Sequence, residues 1–145
     1  MEAEFGRLDV LVNNAAINYD TGGRAVFADL DEVRRTLETN LFGAWRTAQA
    51  FLPLLRRSAH PRLVNVSSES GSLERMSGGT PAYGVSKAAL NVLTRKLADE
   101  LRAERIASGT HPIHCFSSGA GAGRTGQCPC PRSARHWARP CWPPA

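Results

Sequence analysis

The sequence predicts an α/β fold built on a parallel sheet. Two short runs, Leu8-Asp-Val-Leu-Val-Asn13 and Leu63-Val-Asn-Val-Ser67, are apolar and valine-rich, the composition of strands covered on both faces. A segment with apolar residues at helical spacing separates them, and a second, longer one follows. Strands interleaved with helices in this order pair in parallel, because each crossover helix brings the next strand back in the direction of the last.

The first run ends on Asn13-Asn14, which stops the strand. Asp29-x-x-Glu32 reads as a capping box opening a helix, with Val33, Leu37, Leu41, Trp45, Ala48 and Leu52 on one face. Pro53 is expected to bend that helix near its end. After the second strand, the polar, glycine-containing stretch 68–80 is a loop. Thr80-Pro81 then supplies an N-cap and a first-turn proline for a helix running to about Glu104, with Val85, Ala89, Val92, Leu93, Leu97 and Leu101 as its apolar face. Helices on one side only leave the other face of the sheet bare.

Charge divides the chain of 145 residues in two. Residues 1–104 balance their acids and bases, so the whole net charge of +5 comes from Arg105, Arg124, Arg132, Arg135 and Arg139 in an acid-free tail. That is not a basic patch on a folded surface, and nucleic acid is not an expected partner. All four cysteines (Cys115, Cys128, Cys130 and Cys141) also lie in the tail, leaving the body with no disulfide framework and the character of a reduced, cytoplasmic protein. The longest apolar stretch, around Phe51-Leu-Pro-Leu-Leu55, is far too short to span a bilayer, so no membrane role is expected.

Chemistry concentrates in Pro81-Ala-Tyr-Gly-Val-Ser-Lys-Ala-Ala-Leu90. On a helix, residues four apart share a face, so Lys87 sits beside Tyr83 and its ammonium favours the phenolate. Tyr83 is thereby a candidate general acid for reducing a carbonyl, or base for oxidising an alcohol. Ser68 leaves the C-terminal end of a strand, where open α/β sheets place ligands, and its hydroxyl can donate to a developing oxyanion. Ser67 and Ser70 stand close by as alternatives.

With Asn13-Asn-Ala-Ala16, Thr39-Asn40 and Val64-Asn-Val-Ser-Ser68 in the same order upstream, the chain resembles the short-chain dehydrogenases/reductases, and its wording is nearest the carbonyl-reductase-like members. The resemblance implies a partial Rossmann-like domain, doubly wound around a parallel sheet, over residues 1–104. It implies NAD(P)(H)-dependent hydride transfer to or from a small carbonyl or alcohol, with NADP the expected cofactor and NAD the alternative. It gives Tyr83 the acid/base role and Ser68 the substrate oxygen. Lys87 takes the nicotinamide ribose, and Asn40 a proton relay from a distorted helix. Asn14 and Ala15 line the adenosine side of the cofactor, and Ala16 replaces the usual glycine. Relatives of this kind are homo-oligomers that pair long helices, which points to apolar faces around Trp45 and Leu93.

Two parts of the family pattern have no counterpart. No Gly-rich phosphate-binding turn precedes Leu8, so the fragment alone is expected to be inactive. Past Arg105, Ile106-Ala-Ser-Gly-Thr-His-Pro stands where an apolar strand and a Pro-Gly turn belong, and the remainder is a Pro, Gly, Arg, Cys and Trp mixture without periodicity. Residues 105–145 therefore read as a disordered, frameshifted tail on an N-terminally truncated chain. Two other functions compete with the enzyme: a non-catalytic fragment that pairs with an intact relative, and a metal-binding tail using His111, His114, Cys128, Cys130, His136 and Cys141.

Overall fold

A computed structural model describes residues 6–113, with the side chains of 112 and 113 outside the description, and there the chain forms a three-stranded parallel sheet in the order β1-β2-β3. The first strand, β1, is Val10–Asn13, and a loop follows it to helix α1, Leu30–Leu37. A widened π-helical turn, Glu38–Gly43, joins α1 to α2, Ala44–Leu55. The central strand β2, Arg62–Ser68, leads through a 3-10 turn, Glu69–Gly71, and a loop to the longest helix, α3, Pro81–Glu100. A second 3-10 turn, Leu101–Glu104, precedes β3, Ala107–Ile113.

Both predicted strands and the parallel pairing are present, with Val10 opposite Arg62 and Asn13 opposite Asn65. The third strand corrects the expectation that folded structure ends near Arg105. Residues 107–113 pair in parallel with β2 along its whole length, from Arg62 opposite Ala107 to Ser68 opposite Ile113. Arg105 adopts a left-handed conformation (φ 58°) that turns the chain after the 3-10 segment, and Ile106, 2% exposed, locks into the core. Small and polar residues suffice for β3 because its backbone ladder needs no side chain. Pro112, with no N–H to give, is tolerated at the border of the described sheet. The rest of the expected disordered tail lies outside the described residues.

Leu55, Leu63, Ala48, Leu101 and Ile106 form the main core cluster, between α2, the helical face of β2 and the end of α3. Full burial of each such leucine contributes about 2 kcal/mol. A second cluster of Ala44, Leu90 and Leu93 joins α2 to α3. Leu93 is thus internal, and the apolar side chains that α3 exposes are Val85 and Val92, both expected on its buried face. The buried face of α3 instead runs through Ala82, Ser86, Lys87, Leu90, Leu93 and Thr94. On the other side of the sheet, Val10 and Val12 are 47% and 54% exposed, as expected of a face without helices among the described residues.

Local signals were right in kind and different in detail. Asp29 caps α1 by accepting the Asp31 N–H at 2.9 Å, but Glu32 pairs with Arg35 instead of closing a capping box. Pro53 sits inside α2, which continues two residues past it. Thr80 precedes α3 in a left-handed conformation (φ 49°) and makes no side-chain capping bond.

Candidate functional site

The carbonyl end of β2 meets the first turns of α3, and the predicted site residues lie on these two elements, on the π-helical turn and on the loop that follows β1. Ser68 is the last residue of β2. It is 6% exposed, and its Oγ accepts the Ser70 N–H at 3.2 Å. The turn that follows packs on α3 with almost no space between the backbones. A Cβ added to Gly71 would lie 2.7 Å from the Lys87 carbonyl carbon, and one added to Gly84 would lie 3.3 Å from the Ser70 carbonyl oxygen. Two glycines, one on each element, therefore set how closely the strand end carrying Ser68 approaches the helix segment carrying Tyr83 and Lys87.

Lys87 is 2% exposed, and its Nζ donates to the Val66 carbonyl at 2.8 Å. Burial pushes its pKa below the ordinary lysine range. The same Nζ lies 5.6 Å from the centroid of the half-buried Tyr83 ring. Helical spacing thus places the two as expected, with the ammonium between the phenol ring and the end of β2. An ammonium carries three protons, and only one is needed for Val66.

Asn40 is 1% exposed within the π-helical turn, so the helix is distorted where the resemblance implied it. Its Oδ1 accepts the Ile17 N–H at 2.8 Å, and its Nδ2 donates to the Ile17 carbonyl at 2.9 Å and to Ser86 Oγ at 3.0 Å. Ser86 Oγ donates in turn to the Tyr83 carbonyl at 2.7 Å. The Asn40 amide therefore binds the loop after β1 to the helix of the tyrosine, and its contact on α3 is Ser86, the neighbour of Lys87.

Asn14 and Ala15 are exposed in that loop. Asn13, just before them, is anchored: its Nδ2 donates to Asn65 Oδ1 at 2.8 Å and to the Ala44 carbonyl at 3.1 Å, while its Oδ1 accepts from Thr47 Oγ1 at 2.6 Å. Asn65 Nδ2 continues to Thr94 Oγ1 at 2.8 Å. A row of polar side chains so crosses the sheet from α2 to α3. Asn13 on one side and Ile17 on the other pin a short exposed arc, which presents Asn14 and Ala15 at the carbonyl end of β1.

Sequence reasoning missed Asp20, Gly71 and Gly84. Glycines three residues after Ser68 and one after Tyr83 were the available sign of close backbone approach. An open groove lined by Ile17, Tyr19, Arg34, Arg35, Glu38 and Thr39 contains none of the predicted catalytic residues. Among the described residues no cluster of three His, Cys, Asp or Glu side chains stands together. Of the alternative metal ligands, His111 lies exposed on β3 and the others fall outside the described residues. No described helix is long and apolar enough to cross a membrane.

Residues 1–113 match the sequence profile of the short chain dehydrogenase family. The C-signal protein of Myxococcus xanthus is 40% identical over 102 residues, a match spanning 68% of this chain and 60% of that protein. Among solved structures, the RhlG/NADP active-site complex of Pseudomonas aeruginosa superposes with a TM-score of 0.64 at 37% identity, over 72% of this chain and 41% of that one. An NAD+-bound xylitol dehydrogenase superposes with a TM-score of 0.71 at 26% identity, over 78% of this chain and 42% of that one. The chain thus spans less than two thirds of the length of each of these proteins.

Proposed function

Because the chain belongs to the short-chain dehydrogenase family, we propose that it carries the proton-transfer half of a nicotinamide-dependent oxidoreductase acting on a small carbonyl or alcohol. The observation that carries this reading is the buried Lys87 Nζ, held by the Val66 carbonyl at 2.8 Å and 5.6 Å from the Tyr83 ring centroid, at the strand end where Ser68 stands. In the reducing direction Tyr83 gives its phenolic proton to the substrate oxygen, and Ser68 Oγ steadies that oxygen by a hydrogen bond. Lys87 stabilises the phenolate that remains. Asn40 keeps the loop after β1 against α3, and its place in a proton relay is part of the same proposal.

The residues present fit the nicotinamide ribose end of a dinucleotide. Lys87 has N–H protons beyond the one given to Val66, while Asn14 and Ala15, exposed in the loop after β1, are assigned to the adenosine side. The dinucleotide supplies or accepts the hydride. We favour NADP on the resemblance to carbonyl-reductase-like members, and solved relatives hold NADP or NAD+. No Thr-Gly-x-x-x-Gly-x-Gly pattern for the diphosphate stands ahead of Leu8 in this sequence, so the chain by itself is proposed to be inactive.

The test separates site competence from completeness. A chimera carrying residues 7–104 of this chain in place of the matching segment of the Pseudomonas protein is expected to oxidise NADPH with a reactive diketone. Tyr83→Phe in that chimera should lower kcat at least about a hundredfold with nucleotide binding retained. Retained turnover in the phenylalanine variant would remove Tyr83 from the acid/base role.

A second reading, a fragment that pairs with an intact relative, is favoured by Phe42 and Trp45, 42% and 41% exposed. Mixing the chain with a full-length relative distinguishes the two, since only this reading requires co-elution.

A further inference from the structure

Helix α3 begins without a cap of its own. Thr80 makes no capping bond, Pro81 has no N–H, and α3 has no acidic residue in its first turn. The first free donor, the Ala82 N–H, is met from far along the chain by Asp20 Oδ2 at 2.6 Å. A carboxylate there satisfies an orphan amide and complements the positive end of the helix at once.

Asp20 is itself held in place. Its carbonyl accepts the Gly23 N–H at 2.9 Å, closing a turn that depends on the positive φ of 80° at Gly22. A Cβ on Gly23 would sit 3.0 Å from that carbonyl oxygen and 3.5 Å from Pro81 Cδ, so the turn rests against the first residue of α3. Upstream, Ile17 is clamped to Asn40 by two hydrogen bonds. The arc bearing Asn14 and Ala15 and the turn bearing Asp20 are thus one loop, fixed to the helix turn of Tyr83 at its far end.

We propose that Asp20 is a positioning residue for Tyr83, capping the helix in trans so that the phenol is held beside Lys87 and in fixed relation to the Asn14–Ala15 arc. The proposal rests on Tyr83 as the acid/base group. When the cap is lost, the first turn frays and the Tyr83 ring leaves its place near the Lys87 ammonium, while the rest of α3 stays packed through Leu90, Leu93 and Thr94.

Amide exchange and tyrosine ring resonances in the full chain test this without any need for turnover. Asp20→Ala is expected to speed exchange at Ala82 and Gly84 about fivefold, the usual effect of losing an N-cap. It should also shift the Tyr83 ring signals and leave the Leu90 and Leu93 amides unchanged. Asp20→Asn, which keeps an oxygen acceptor for Ala82, should restore most of the protection and the ring signals. Uniformly faster exchange along α3, unmoved Tyr83 signals, or failure of asparagine to rescue would each overturn the proposal. Loss of turnover sensitivity at Tyr83 in the chimera would instead overturn the acid/base reading alone.

Discussion

Lys87 is the residue whose burial has the clearest energetic consequence. Desolvation lowers its pKa below the value of about 10.4 that it regains on unfolding. Between those two values the unfolded chain holds a proton that the folded chain has released, so stability rises with pH across that window. Below the folded value both states hold the proton, and the cost of the buried ammonium is fully present. Lys87→Met removes this titration, so the stability of the variant minus that of wild type should fall as pH is raised toward 10.4. Urea unfolding at a series of alkaline pH values measures it, and a constant difference would show that Lys87 titrates alike in both states. Lys87 and Tyr83 were legible as neighbours because helical spacing suffices to bring them together, and Ser68 as the end of a strand. Asp20 was not, because its partner lies 62 positions away and only tertiary packing joins them.

The contact between the 3-10 turn Glu69–Gly71 and α3 is made by main chain on both sides, which makes its two glycines unequal. Gly71→Ala puts a methyl 2.7 Å from the Lys87 carbonyl carbon, deep in a packed helix that cannot yield. It should cost about 1–3 kcal/mol, the range for overpacking. Gly84→Ala meets only the Ser70 carbonyl oxygen at 3.3 Å and gains up to about 1 kcal/mol of helix propensity, so it should be close to neutral. Denaturant midpoints of the two variants settle the ranking, and equal midpoints would mean that the turn moves freely against the helix. Helices were legible at this scale through the 3.6-residue recurrence of Leu37, Leu41, Trp45 and Ala48. The π-helical turn within that run left no mark on the recurrence, since one residue of extra winding hardly disturbs the pattern, and only the family resemblance around Asn40 pointed to a distortion there. Val85 and Val92 were placed on the buried face of α3 because apolar character stood in for burial. The space is filled by Ser86, Lys87 and Thr94, which find hydrogen-bond partners inside.

At the scale of the molecule, the sheet is dressed on one face and open on the other among the described residues. Val10 and Val12 on that open face lie on β1, a border strand with one edge unpaired among the described residues. Such a surface drives self-association. Replacing both valines by threonine should raise the soluble, monomeric fraction at a given concentration with little change in the unfolding midpoint, as sedimentation velocity and thermal melting would show. Sedimentation identical to wild type would place the adhesive surface elsewhere. The parallel sheet was legible because its two valine-rich strands announce themselves. Strand β3 was hidden because Ala-Ser-Gly-Thr-His-Pro has no apolar pattern, and the open edge of β2 recruits it through main-chain pairing alone.

The π-helical turn also makes one point of the chain tolerant of a change in length. Removing a residue from an ordinary α-helix swings everything beyond it by about 100°. A π turn holds one residue more than the regular winding, so taking one out lets the winding become regular while α1 and α2 keep their facing. Deletion of the exposed Phe42 should therefore leave helical content and melting close to wild type. Deletion of the exposed Arg46, one turn later in α2, should unfold the domain. What the shorter helix loses is the inward bulge at Asn40, and with it the grip on Ile17, whose amide should then exchange freely. The extra residue is dispensable to the rod and indispensable to the loop it holds.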